Sequence, residues 1–333
     1  MSPDLSLVVP VYNRPEEVAE LLASLAQQSE GGFEVLVVED GSEHHCRQEV
    51  EAWQQALDLK YFFKANNGPG LSRNYGAERA QGDYLIFLDS DCVAPPGYVA
   101  AVRRSLRQTQ ADAFGGPDRA QASFTPVQKA INYSMTSFFT TGGIRGSRKS
   151  LEQFHPRSFN MGMSRGAFRR TGGFSALRFG EDIDLSIRII EAGFKTALFP
   201  DAFVYHKRRT RFRQFFKQIF NSGIARINLY RRHPQSLKAV HFFPALFTLG
   251  LLGAVLLAAF AGWPYGLALY LAYALLIFGD ALIQSGQLGV ALLSVWASFQ
   301  QLLAYGGGFI LAFYRRILRG KGEFARFTRN FYR

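Results

Sequence analysis

Three long stretches without charge constrain this chain more than any other feature. Residues 242–262 are 21 residues with no charged side chain, residues 288–313 are 26, and residues 265–283 are 19 with Asp280 alone charged. As a helix, each is long enough to cross a hydrocarbon core of about 30 Å. The region 241–314 is therefore expected to anchor the chain in a membrane. The preceding region, 207–240, agrees with this. Residues 207–238 carry ten Lys/Arg and no acid, with Phe212, Phe215, Phe216, Ile219, Phe220, Ile224 and Ile227 at helical spacing, which predicts basic amphipathic helices in the membrane interface. Basic and aromatic residues together also suit single-stranded nucleic acid. The adjoining apolar spans decide against that, and no nucleic-acid partner is expected.

The net charge of +12 is carried by the C-terminal part: residues 1–201 hold 21 Lys/Arg against 24 Asp/Glu, and residues 202–333 hold 17 against 2. A basic collar beside apolar spans marks the cytoplasmic side of a membrane protein. Three crossings would then put the basic tail, residues 315–333, on the opposite side, against the positive-inside rule. Either the third segment, interrupted by Gln300-Gln301 and Gly306-Gly307-Gly308, does not cross simply, or the rule fails here. Asp280 is either a site facing protein or water, or an interfacial residue at the span's end. The opening SPDLSLVVPVYNRP has no basic region ahead of its apolar run, so it is not expected to be a cleaved signal peptide. The two cysteines, Cys46 and Cys92, fit a reduced compartment and have no metal-ligand spacing.

Residues 1–206 have a different pattern. SLVVPVY (6–12), FEVLVVED (33–40), residues 59–65 and YLIFLD (84–89) read as buried strands. Between them lie helical patterns, one with Pro15 at its start and Val18, Leu21, Leu22 and Leu25 on one face, another opening GPGLSRNYGAERA (68–80). The alternation predicts an α/β domain with a mainly parallel sheet. Ligands of such sheets bind beyond the carboxyl ends of the strands, and Tyr12, Asp40, Asp89 and Asp91 all stand at or just past one. An aromatic helical stretch follows near 126–140, then a polar segment, 141–150, whose Arg145, Arg148 and Lys149 could grip a pyrophosphate or lie on a solvated loop. FGEDIDLSIRIIEAG (179–193) reads as a helix with acids in its first turn, and KTALFPDAFVYH (195–206) closes the region.

Asp89 and Asp91, one residue apart at a strand end, can share a hard divalent cation, which takes oxygen ligands and neutralises charge developing on a leaving diphosphate. Taken alone, Asp-x-Asp is weak, since it often only caps a helix. Three features add weight: Asp40 could accept a base N–H or a ribose hydroxyl, Arg73 stands in a Gly-rich helix opening that favours phosphate, and Glu181-Asp182 supplies a further acidic pair.

The stretches VVPVYNR (8–14), VVEDGS (37–42), GPGLSRNYGAERAQGDYLIFLDSD (68–91), NMGMSRGAFRRTGGF (160–174), GEDIDLSIRIIEAG (180–193) and FPDAFVYH (199–206) together resemble the family 2 glycosyltransferases over nearly all of residues 5–206. HFFPALF, YGGGFILAF and KGEFARFTRNFY look like the membrane-attached bacterial members that build surface polysaccharides. The resemblance implies a GT-A fold, Rossmann-like with a mainly parallel sheet, and a metal-dependent, inverting transfer of one sugar from a nucleotide-diphosphate sugar, expected to be a UDP-sugar. A lipid-linked or growing glycan is the implied acceptor, Mg²⁺ or Mn²⁺ the cofactor, and the inner membrane, with a cytoplasmic catalytic domain, the location. Pro10, Tyr12, Asp40, Arg73 and Asp89 take nucleotide-sugar-binding positions. Asp89 and Asp91 form the metal-binding pair, which His206 can complete. Asp182 takes the place of the catalytic base and Glu181 that of its acceptor-side neighbour; Asn160 has either a donor or acceptor contact or a turn role. Glu39-Asp40 replaces the family's usual two aspartates and keeps the second. QFFKQIFNSG lacks the Arg and Trp of the processive synthases' motif, which argues against chain polymerisation.

Other classes fit less well. In a receiver domain or a haloacid-dehalogenase phosphatase the acidic motif follows the first strand, yet SLVVPVY precedes both acidic strand ends here. An inactive transferase-like membrane scaffold would be separated from an enzyme by metal-dependent nucleotide-sugar binding.

Overall fold

The computed structural model describes residues 4–119, 124–141, 155–207 and 209–324; Arg145, Arg148 and Lys149 lie outside them. The chain divides into two compact units, one holding the described residues up to 119, 155–207 and 324, the other 124–141 and 209–323.

The first unit is built on a sheet of seven strands: β1 (Leu5–Val11), β2 (Phe33–Asp40), β3 (Asp58–Lys64), β4 (Tyr84–Leu88), β6 (Ala113–Gly115), β8 (Asn160–Ser164) and β9 (Thr196–Leu198). Their order is β3-β2-β1-β4-β8-β6-β9. Every neighbouring pair is parallel except those of β8 with β4 and β6. The apolar runs are continuous because both faces are covered. Leu7, Val9, Val37, Ile86 and Leu88 enter one core, under α1 (Pro15–Ala26), α2 (Arg47–Glu51) and α4 (Tyr98–Thr109). Val8, Leu36, Leu85 and Phe87, the alternating residues, enter the other, under α3 (Pro69–Arg79), α7 (Arg165–Thr171) and α8 (Glu181–Glu191). Side chains that alternate across a strand thus meet two separate cores.

A small second sheet positions the chemistry. It pairs β5 (Cys92–Val93), β7 (Asp118–Arg119) and β10 (Val204–His206) in the order β5-β10-β7, with His206 opposite Cys92 and Val204 opposite Asp118. The chain leaving β4 through Asp89-Ser90-Asp91 is thereby tied to a segment more than a hundred residues later.

The second unit is helical: α5 (Pro126–Thr136), α6 (Phe138–Thr141), α9 (Phe212–Arg232), two 3₁₀ turns at 234–236 and 239–242, α10 (Phe243–Ala261), α11 (Tyr265–Ser285), α12 (Leu288–Phe313) and a π-helical extension to Leu318. Thr125 caps α5 in a reciprocal box with Gln128. Three helices of this unit are long and apolar enough to cross a membrane, as the uncharged spans predict. Asp280 does not stand alone in its helix. It accepts hydrogen bonds from Tyr133 Oη (2.5 Å) and Gln284 Nε2 (2.9 Å), both side chains of the same unit.

Candidate active site

The carboxyl ends of β1, β2 and β4 and the start of β8 lie along one edge, with Leu88 opposite Asn160. Beyond β1, Pro10 is the penultimate strand residue and Tyr12 the first past it, both half-buried. Asn13, at φ 52°, turns the chain and accepts the backbone N–H groups of Glu43 (2.7 Å) and His44 (3.0 Å), which fastens this loop to the one after β2. Arg14 then reaches across: its Nη1 donates to Asp91 Oδ2 at 2.5 Å. Burial works against the Arg14 charge, but the attraction of Asp91, with Glu17 and Asp89 adding, outweighs it and its pKa is raised.

At the end of β2 the two acids divide. Glu39 is fully buried and accepts from Tyr61 Oη and the backbone N–H of Cys46. Asp40 accepts the N–H groups of Asn67 (3.0 Å) and Gly68 (2.8 Å) and an ion pair from Lys64. Its carboxylate thus organises the loop that opens α3.

Arg73, on α3, is buried and joins two distant acids. Its Nη2 donates to Asp89 Oδ1 at 2.6 Å and its Nη1 to Glu181 Oε1 at 3.2 Å, with the guanidinium over the Phe174 ring. Burial opposes its charge, and Asp89 and Glu181 more than compensate, so its pKa is raised. Glu181 begins α8 after Gly180, whose φ of 83° favours glycine. Burial, with the charge of Asp182 adding, outweighs the pull of Arg73 and lifts the Glu181 carboxyl to about 7. Asp182 beside it is less enclosed; its Oδ2 lies 3.3 Å from Arg157 Nε, and its Oδ1 accepts the N–H of Ile183.

Asp91 also meets His206, Nε2 to Oδ1 at 3.1 Å, and Asp118 Oδ2 lies 3.9 Å from the other ring nitrogen. Asp91, Cys92 and His206 each place a donor atom within 4.8 Å of the others. Burial, with Asp91 and Asp89 adding, pushes the Cys92 thiol well above its usual range. The Cys92 Sγ donates to Phe159 O at 3.6 Å, and the carboxylate and imidazole beside it are donors that fit a hard divalent ion such as Mg²⁺ or Mn²⁺. Asp89 turns toward Arg73 instead, one residue from this cluster.

Of the expected residues, Asp91 stands with His206, and Asp89, Arg73 and Glu181 form a second group with Asp182 alongside; Pro10, Tyr12 and Asp40 lie at the ends of β1 and β2, outside both. Asn160 is not free for a ligand. It is buried, accepts from Tyr98 Oη at 2.7 Å and donates to Ala202 O at 2.8 Å. Arg14, Asp118 and Arg157 had no signal of their own in the sequence. Arg14, just past β1, and Asp118, opposite Val204, could have been found only by position, and Arg157 not even by that.

The family model "Glycosyl transferase family 2" matches residues 6–172. An uncharacterized glycosyltransferase of Rickettsia conorii is 38% identical over 87 residues, 26% of this chain and 14% of that protein. Another, of Haemophilus influenzae, is 30% identical over 197 residues, 56% of this chain and 62% of its own length. This chain thus spans less than two thirds of either relative. Among solved structures, a mannosyltransferase from Pyrobaculum calidifontis in complex with GDP-Man and Mn²⁺ aligns over 95% of this chain and 88% of its own at TM-score 0.68 and 16% identity, a likeness of fold.

Proposed function

The chain belongs to glycosyl transferase family 2, and from that premise we propose that it moves one sugar from a nucleotide-diphosphate sugar to a hydroxyl of a lipid-linked or growing glycan at a membrane. The observation that carries this is the Arg73 bridge, which holds Asp89, past β4, and Glu181, at the head of α8, in one ion-pair network. The strand end that would meet the donor is thereby locked to the helix that would meet the acceptor.

In this reading Pro10, Tyr12, Asp40 and the α3 opening cradle the nucleoside, Asp40 by holding the loop at Asn67-Gly68 in shape. Asp91 and His206, with Asp89 adjacent, would hold Mg²⁺ or Mn²⁺, which when bound neutralises charge on the departing diphosphate. Asp182 takes the proton of the acceptor hydroxyl. The acceptor oxygen forms its bond to the anomeric carbon as the bond from that carbon to the diphosphate oxygen breaks on the opposite face, so the configuration inverts. Glu181 sits at the acceptor side. The three apolar helices support membrane placement; in this reading the membrane is the inner one and the catalytic side cytoplasmic, and an acceptor with a lipid tail meets the site without leaving the bilayer. A UDP-sugar is the expected donor.

Asp182→Asn tests the role of the base. With purified protein, nucleoside-diphosphate release from the donor in the presence of acceptor should fall by at least about 10²-fold, while donor-induced thermal stabilisation stays at the wild-type level. Wild-type turnover in this variant would remove Asp182 from the mechanism.

A further inference from the structure

The three apolar helices use their surfaces differently. Among described residues α10 and α11 bury two each, whereas α12 buries eleven. α10 and α11 form an antiparallel hairpin closed by Gly262-Trp263-Pro264: Ala254 lies against Gly266, and Tyr270 Oη donates to Phe247 O at 3.1 Å. Toward the closed end Leu252, Phe260 and Leu269 are 56%, 86% and 74% exposed. A surface this apolar suits lipid.

α12 sets out from the open end of that hairpin, where Ala291 clusters with Ile277 and Ala281. Were it to cross back alongside α11, Phe309, eighteen residues on, would lie near the closed end. It instead meets Phe242, ring centroids 5.2 Å apart, while Phe299 packs against Phe247 and Tyr273 and Gly306 against Pro244 and Thr248. Phe242, Pro244, Phe247 and Thr248 all stand at the start of α10, at the open end, and Tyr273 lies midway along α11.

The second half of α12 is fastened along α9. Gln300 Nε2 donates to Phe212 O at 3.1 Å, the Phe220 carbonyl packs on Gly308, the Tyr305 carbonyl on Gly223, and Arg316 donates to Asn228. α9 carries Arg213, Lys217, Arg226, Arg231 and Arg232. Charged side chains at the bilayer centre are too costly for such a helix to cross, and the half of α12 bound along it does not cross either.

We infer that only α10 and α11 cross the bilayer, as a hairpin whose closed end reaches the far interface, and that α12 lies beside α9 at the near interface. The chain beyond α12 then emerges on the side from which it entered α10. The 19 residues of α10 make a helix of about 28 Å, close to the hydrocarbon thickness. Trp263 and Tyr265 at the closed end are the residue types of an interfacial aromatic belt. The charge conflict also disappears, because Arg315, Arg316, Arg319 and Lys321 join the basic residues of 207–238 on one side.

Single cysteines test this by labelling with a membrane-impermeant maleimide in right-side-out and inverted vesicles. Gln235→Cys, Pro264→Cys and Lys321→Cys occupy exposed positions, and the unaltered chain, with Cys46 and Cys92 buried, is the blank. Gln235→Cys and Lys321→Cys should label in the same vesicle orientation and Pro264→Cys only in the other. Labelling of Lys321→Cys together with Pro264→Cys, in the orientation that leaves Gln235→Cys unlabelled, would mean three crossings and overturn the inference. Labelling of all three in one orientation would mean that the hairpin does not span, and would overturn it too.

Discussion

Both terminal nitrogens of Arg73 donate to acids from different parts of the chain, and Glu181 is the more deeply buried of the two. Its carboxyl is lifted from 4.5 to about 7, chiefly by burial. The folded state therefore holds this proton more tightly than the unfolded chain does, so the contribution favours folding at low pH and is lost as pH rises from about 4.5 to about 7. The full change is worth about 3 kcal/mol. Glu181→Gln should flatten that part of the stability profile, measured by denaturant unfolding of detergent-solubilised protein at a series of pH values. An unchanged slope would mean that Glu181 is ionised throughout. Asp182, one residue on, was legible in the sequence as an acid in a first helical turn. Its partner Arg157 was not, because a charge contact across twenty-five positions leaves no local pattern.

At the scale of elements, the strands were legible and the small sheet was not. β1, β2 and β4 are unbroken apolar runs because each alternate residue enters one of two cores, and composition alone reports that. β5, β7 and β10 are two or three residues long, too short for a period, and only the pairing of His206 with Cys92 brings the imidazole to Asp91. The glycines at 306–308 look in the sequence like an interruption of a span. In the structure they are contact positions, and they differ. A Cβ at Gly308 would run into the Phe220 carbonyl and one at Gly306 into the Pro244 carbonyl, whereas one at Gly307 would sit 3.6 Å from the Phe220 ring. Gly308→Ala should cost roughly 1–3 kcal/mol through overpacking against backbone, seen as a lower thermal midpoint in detergent. Gly307→Ala should leave the midpoint near wild type. Equal effects would mean that α9 and α12 do not approach this closely.

For the whole molecule, hydropathy reports which helices are long enough to cross but not which do, since crossing depends on the neighbours a helix packs against. Likewise the order of motifs reports the family, while donor identity depends on contacts that no motif encodes. The most direct measurement is thermal stabilisation of the detergent-solubilised protein by UDP, GDP, CDP and dTDP, each with Mn²⁺ and with EDTA, in wild type and Asp91→Asn. One nucleotide should stabilise the wild type with Mn²⁺, by about 2.7 kcal/mol at a hundred times its dissociation constant. EDTA and Asp91→Asn should each abolish the effect. Stabilisation that persists in EDTA, or in Asp91→Asn, would contradict a metal-dependent donor site at the end of β4, and no response to any nucleotide would contradict the donor site itself.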